Sequence, residues 1–188
     1  MDIFFENGTL RVEDVAPETL PAELTRLLKY DARSKLYRAR GCDYAPLVLG
    51  LLAAKIPYRD HARAFAPLEL ALATELAPRP HQERALAAWR AAGCRGIAAL
   101  PTGAGKTVLA VMAIAHLQRP ALVLVPTIDL LQQWVGVLEK FFNIPIGMLG
   151  GGEREILDLT VSTYDSAVLN MEFIGNRFGL LVADECHH

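Results

Sequence analysis

Leu100-Pro-Thr-Gly-Ala-Gly-Lys-Thr107 stands between an apolar run, Gly96 to Leu100, and a helical pattern from about Lys106 to Gln118. A strand, a glycine-rich turn and a helix, in that order, are the setting in which such a turn holds phosphate. Glycines let the backbone curl until successive N–H groups point inward. The helix start adds the positive end of its dipole. Thr102, Gly103, Ala104 and Gly105 therefore read as the cradle. Lys106 reads as the cation that reaches the β and γ phosphates, and Thr107 as a hydroxyl ligand to Mg²⁺. The expected ligand is a nucleotide's phosphates together with Mg²⁺.

Downstream of this loop, apolar and helical runs keep alternating. Ala121 to Val125 reads as a second strand, followed by a helix through Phe142. Asp158 to Ser162 reads as a third strand and Gly179 to Ala183 as a fourth. Apolar strands without alternation are covered on both faces, which predicts a parallel sheet in an α/β domain. The last strand delivers Asp184 and Glu185 at its C-terminal end, where open α/β sheets bind ligands. Asp184 is expected to hold Mg²⁺ through water, and Glu185 to position or deprotonate the attacking water. His187 is expected to sense the γ-phosphate, while Cys186 reads as a packing residue and His188 as surface. Upstream, Arg79-Pro-His-Gln82 opens a helix carrying Leu86 and Trp89. The Gln82 amide offers a donor and an acceptor, which suits the adenine edge, and Arg79 is grouped with it.

Composition sets outer limits. Nineteen basic and 21 acidic residues in 188 give a net charge of −2, which excludes a wholesale basic nucleic-acid binder but not a local basic face. A hydrophobic fraction of 52% argues against disorder. Cys42, Cys94 and Cys186 are odd in number and far apart, with neither zinc spacing nor a disulfide framework. That fits a reducing compartment. The run Leu47 to Ala54 falls far short of the ~20 residues a membrane helix needs, and the N-terminus lacks a signal-peptide shape. The expectation is a cytoplasmic protein, nucleoid-associated in a bacterium or archaeon, with no membrane partner.

The chain divides near Pro78. Residues 1–77 predict a small α+β domain, and residues 78–188 the first part of a phosphate-loop domain. Ile3 to Glu6 and Thr9 to Val12 flank Asn7-Gly8, the pair favoured in a type I′ hairpin turn. Pro17 to Leu28 predicts a helix with Leu20, Leu24, Leu27 and Leu28 on one face. Residues 29–40 predict strands, and Leu47 to Lys55 a buried helix ended by Pro57. Arg26, Lys29, Arg33, Lys35, Arg38 and Arg40 cluster against Asp31 alone, with Tyr30 and Tyr37 interleaved. Cations beside rings suit a phosphate backbone and stacked bases, although a charge run is also an ordinary solvated face.

Gln82, the Pro101–Thr107 loop and Asp184-Glu-Cys-His187 together resemble superfamily-two helicases. The general phosphate-loop pattern has Gly where this chain has Leu100, and Pro-Thr-Gly-x-Gly-Lys-Thr is the helicase form. Val125-Pro-Thr-Ile-Asp-Leu-Leu-Gln-Gln-Trp134 is similar to motif Ia. Leu159-Thr-Val-Ser-Thr-Tyr-Asp-Ser-Ala167, Gly175-Asn-Arg-Phe178 and the Asp-Glu-x-His strand resemble the XPB branch, whose Gly pair near DNA matches Gly150-Gly-Gly152. Residues 1–77 are similar, less specifically, to the damage-recognition domain of archaeal XPB-like proteins.

The resemblance implies an incomplete RecA-like domain after a small α+β domain. It implies an ATP-driven repair helicase that moves 3′ to 5′ on single-stranded DNA or at a duplex junction, damaged DNA included, with a repair nuclease as partner. Thr127, Gly151 and Thr163 would then touch DNA phosphates. It also implies a coupling motif and a second RecA-like domain beyond His188, so that 1–188 alone binds Mg-ATP weakly and barely turns it over. The alternatives are the motor of a restriction endonuclease and a DNA-binding remnant with a vestigial ATP site. The first needs a nuclease cluster that 1–188 does not offer, and the intact Lys106, Thr107, Asp184 and Glu185 argue against the second.

Overall fold

Two positive φ angles, at Asn7 and Gly8, turn β1 (Asp2–Glu6) back on β2 (Thr9–Glu13) as an antiparallel hairpin. This is the backbone sign a type I′ turn demands. In the computed structural model, which describes residues 1–101 and 103–186, the chain forms two compact units. The first comprises Met1–Phe65 with Val168–Arg177, and the second the remainder. The division thus falls after Phe65, and residues 66–77 go with the second unit. Leu68 N–H donates to the Gln118 carbonyl, and Ala73 N–H to that of Phe141.

The first unit is a five-stranded sheet in the order β3 (Lys29–Asp31), β4 (Leu36–Arg40), β2, β1, β5 (Arg59–His61). Alternation along β2 sends Leu10 and Val12 inward beside Ile3. They meet Leu24 of the short helix α1 (Ala22–Thr25) and Leu47 and Leu51 of α2 (Tyr44–Ala53).

Two expectations need correction here. The helix expected over 17–28 is a 3-10 turn, Pro17–Thr19, followed by α1. Pro21 has no N–H to donate, and it forces Leu20 into extended backbone at φ −89° and ψ 149°. The helix expected over 47–55 is α2, which starts at Tyr44 and is only half buried, with Leu49 and Leu52 exposed.

The second unit carries the parallel sheet. Its order is β10 (Leu180–Ala183), β6 (Ala121–Val125), β9 (Leu159–Thr163), β7 (Gly147–Gly150), β8 (Glu153–Arg154). The first four are mutually parallel, and β8 folds back antiparallel on β7. Every residue of β6 is buried, as the unbroken apolar run predicts. Helices α3 (Pro80–Ala91), α4 (Lys106–Leu117), α5 (Ile128–Phe142) and the start of α6 (Tyr164–Ile174), whose residues from Val168 onward belong to the first unit, complete the elements. On α5, Leu131, Trp134, Leu138 and Phe142 recur at helical spacing, all buried with Val111 and Ile114 of α4.

The strand expected over Gly96 to Leu100 is absent. Residues 95–100 form no ladder, and Ile97 is 89% exposed. A strand exists only where a neighbour takes its hydrogen bonds, and β10 is the last strand on that side of the sheet among the described residues.

Leu131 is fully buried between α5 and the sheet. Leu131→Ala is expected to cost about 2–5 kcal/mol, read as a lower urea midpoint with the slope unchanged.

Candidate functional site

A parallel sheet brings the C-terminal ends of its strands to one side, and the chemistry-bearing residues follow those ends. The loop before α4 is shaped by glycines at positive φ: Gly103 at 77° and Gly105 at 82°. A Cβ at Gly103 would meet nothing within 4 Å, so the cradle is open there. A Cβ at Gly105 would lie 2.4 Å from Gln82 Nε2, so only glycine fits. The first N–H groups of α4, at Lys106, Thr107 and Val108, have no intrahelical acceptor.

Gln82 accounts for the loop's shape. It is 2% exposed at the start of α3. Its Nε2 donates to the carbonyls of Ala104 at 3.1 Å and Gly105 at 3.0 Å. Its Oε1 accepts from the Arg79 N–H at 2.8 Å. His81 Nε2 also lies 2.9 Å from the Ala104 carbonyl oxygen. Both Nε2 hydrogens of the amide expected at the adenine edge are thus spent on the loop, so donating to adenine requires release of one of them, while Oε1 keeps a second lone pair.

Lys106 Nζ donates to Glu185 Oε1 at 2.9 Å. This hydrogen bond, ahead of the partly opposing loss of solvation, holds the Lys106 ammonium above its ordinary range. Asp184 is held from four directions. Its Oδ2 accepts from Trp134 Nε1 at 2.8 Å, and its Oδ1 from the Glu185 N–H at 3.0 Å. Its N–H donates to the Leu124 carbonyl at 2.9 Å, and its own carbonyl accepts from the Tyr164 hydroxyl at 2.8 Å. Burial first, then the neighbouring Cys186, Asp184 and Glu185, push the Tyr164 phenol upward, so it stays a neutral donor.

Thr107 and Asp184 are hard oxygen donors, few in number. That suits Mg²⁺, which binds one or two protein oxygens and keeps waters and phosphates. Among the described residues no group of three or more His, Cys, Asp or Glu forms a metal cage. Thr102 and His187 lie outside the described residues.

Thr127 follows the end of β6, and Thr163 is the last residue of β9. Thr127 Oγ1 caps α5 by accepting from the Leu130 N–H at 3.3 Å. Thr163 Oγ1 accepts from the Ser166 N–H at 3.3 Å and donates to the Ser166 hydroxyl at 2.9 Å. The turn after β7 lies against both helix starts. A Cβ on Gly150 would be 3.1 Å from Thr163 Cγ2, and one on Gly151 3.3 Å from Ile128 Cγ2. The turn thus sets Gly150 against Thr163 and Gly151 against Ile128, the residue after Thr127. Sequence reasoning missed His81, Trp134 and Tyr164. Each lay inside a segment already singled out, but nothing in the residue string marks its partner.

In the first unit the basic cluster splits. Arg38 pairs with Glu6 at 2.7 Å and Asp31 at 3.4 Å, and Arg40 with Asp43 at 2.8 Å. Lys29, Arg33 and Lys35 are exposed, and their side chains make no ion pair among the described residues. Tyr30, 57% exposed, tilts onto Tyr37 with ring centroids 5.3 Å apart. No helix among the described residues is long and apolar enough to cross a membrane.

Residues 75–188 match the family model described as Type III restriction enzyme, res subunit. Residues 3–62 match the one described as Xeroderma pigmentosum group B helicase damage recognition domain. The DNA 3'-5' translocase XPB2 of Sulfurisphaera tokodaii is 37% identical over 161 residues, covering 86% of this chain and 36% of that protein. The DNA 3'-5' helicase XPB of Mycobacterium tuberculosis is 33% identical over 107 residues, covering 51% of this chain and 20% of that protein. The Kineococcus radiotolerans protein of the same name is 31% identical over 121 residues, 58% of this chain and 21% of its own length. The chain thus spans about a third of the first relative and about a fifth of the other two.

Gln82→Glu sets a carboxylate against two carbonyl oxygens. Leaving such buried groups unmet costs about 1–3 kcal/mol, so the variant is expected to melt earlier and to bind nucleotide roughly tenfold or more weakly. Thermal melting with and without nucleotide checks both.

Proposed function

We infer the function from one premise: the chain belongs to the ResIII helicase family, and it carries the N-terminal region of an XPB-type helicase. On this reading it is the front part of an ATP-driven motor that moves 3′ to 5′ along DNA in repair. Single strands and duplex junctions, damaged ones included, are its substrates, and a nuclease acting on the opened strand is its partner. The observation that carries the reading is the meeting of Lys106 and Glu185 at 2.9 Å, 79 residues apart in the chain. Together with the open loop they form a site with a cation for phosphate and a carboxylate for water.

The free site is self-neutralised. Lys106 must exchange the Glu185 carboxylate for phosphate oxygens as nucleotide enters. That exchange frees Glu185 to orient and accept a proton from the attacking water. The loop N–H groups hold the phosphates, and Thr107 and Asp184 would hold Mg²⁺, which would supply positive charge against the charge that develops during transfer. His187 is assigned to the γ-phosphate by its place in the motif, and Thr102 and Arg79 to the nucleotide. Thr127, Gly151 and Thr163 touch the DNA backbone without reading bases. The hairpin β3–β4 adds Lys29, Arg33 and Lys35 for phosphate, and Tyr30 for a stacked base. The restriction-motor alternative is not favoured. The relatives are named XPB helicases or translocases, and residues 3–62 match a damage recognition domain.

Two outcomes are expected. Lys106→Ala loses Mg-ATP binding by a hundredfold or so in calorimetry while its melting curve stays cooperative, because a charge-assisted contact worth about 1.5–3 kcal/mol is gone. Unchanged affinity rejects the nucleotide site. Replacing Lys29, Arg33 and Lys35 together by Ala weakens DNA binding and lowers the slope of log affinity against log salt by roughly 2–3 on duplex DNA. A slope equal to that of the parent rejects the hairpin as a DNA contact.

A further inference from the structure

Asp184 is held more tightly than the end of an edge strand requires. Its backbone N–H already continues the ladder to Leu124. Two side chains from other elements hold it as well: Trp134, 50 residues upstream on α5, and Tyr164, 20 residues upstream at the start of α6. Trp134 is 3% exposed, so its indole N–H must find an acceptor inside the unit. The acceptor is a carboxylate oxygen, which makes the bond charge-assisted and directional. The other carboxylate oxygen accepts from the Glu185 N–H, so both oxygens are fixed and the rotamer has no freedom to turn. The chain then enters a left-handed conformation at Glu185, with φ 50°. A non-glycine residue in that region sits there only when its surroundings hold it. The Tyr164 hydroxyl on the Asp184 carbonyl is the restraint adjacent to that turn.

The geometry points to Trp134 and Tyr164 as positioning residues for the Asp184 carboxylate: the indole N–H fixes the side chain, the phenol fixes the backbone behind it, and together they set where Mg²⁺ is held. Neither touches nucleotide or the reacting atoms. The inference rests on the nucleotide-site reading above and adds to it the groups that orient the metal-binding oxygen. Removal of such an orienting partner typically lowers metal affinity roughly 10–100-fold.

Trp134→Phe and Tyr164→Phe each remove one donor and leave a ring in place. The chain has two tryptophans, Trp89 and Trp134, so a Trp89→Phe background makes Trp134 the sole reporter. The probe is ATPγS, titrated by calorimetry at a series of fixed Mg²⁺ concentrations and in EDTA. The Mg²⁺ midpoint for binding is expected to rise roughly tenfold or more in Trp134→Phe and by a smaller factor in Tyr164→Phe. Affinity in EDTA stays within about twofold of the parent, because the loop and Lys106 are untouched. In the Trp89→Phe protein, Mg²⁺ added with ATPγS shifts the Trp134 emission, and Mg²⁺ alone or ATPγS in EDTA shifts it less. Equal losses with and without Mg²⁺ would mean a packing role and overturn the inference, as would an unmoved Mg²⁺ midpoint in both variants. If Trp134→Phe fails to fold, the Tyr164→Phe midpoint and the Trp134 emission decide the matter. If the parent binds no ATPγS at any Mg²⁺ concentration, the nucleotide-site reading falls, and this inference with it.

Discussion

Parallel pairing of β10, β6, β9 and β7 is the constraint on which the rest depends. Strands that run the same way finish on the same side, and the backbone must leave the sheet there. Four strand ends, at Ala183, Val125, Thr163 and Gly150, therefore lie along one edge. Asp184 and Glu185 follow the first, Thr127 the second, and the Gly150–Gly152 turn the last. Residues far apart in the chain are neighbours there because the ladder fixes register as well as direction. Leu180 stands beside Ala121, and Ala121 beside Leu159. A slip of one residue in β10 would reverse which of its side chains face the helices, and would carry Asp184 away from Trp134.

Within that frame, the polar groups of the site are satisfied by one another. Gln82 uses its amide on the Ala104 and Gly105 carbonyls and on the Arg79 N–H. Lys106 and Glu185 pair. The asymmetry of hydrogen bonding explains why: a made bond contributes little net, but a buried polar group left unmade costs about 1–3 kcal/mol. A site that waits for a charged ligand must satisfy its own charges in the meantime, and it does so with groups that the ligand can displace. The Lys106–Glu185 pair is partly exposed, so water screens it and opening it costs little. The Gln82 bonds are buried and hold the shape of the loop whether or not the pair is closed.

How much of this was legible in the residue string follows from the range of each interaction. Local chemistry read well. Asn7-Gly8 gave the hairpin, and the unbroken apolar run gave β6. Reading failed where a neighbour decides the outcome. Gly96 to Leu100 has the composition of a buried strand, yet it is coil with Ile97 exposed, since composition cannot supply a pairing partner. The helix expected from Pro17 failed for a local reason that was visible: Pro21 and the residue before it. The strands β5, β7 and β8 are two to four residues long and carry no periodicity that could announce them.

The site divides along the same line. Residue type and motif order pointed to Lys106, Thr107, Asp184 and Glu185, because their chemistry belongs to the side chain itself. The orienting groups have no such mark. A tryptophan on the apolar stripe of α5 reads as core, and it is core at 3% exposure. Its one polar atom nevertheless ends on Asp184, because α5 follows β6, β6 pairs with β10, and β10 ends at Ala183. Tyr164 reaches the same residue by the same logic through β9, which pairs with β6 from the other side. Helices anchored after two adjacent parallel strands thus converge on the end of a third. A buried Trp and a half-buried Tyr there meet their need for a hydrogen-bond partner at Asp184, so satisfying the core and fixing that carboxylate become one requirement.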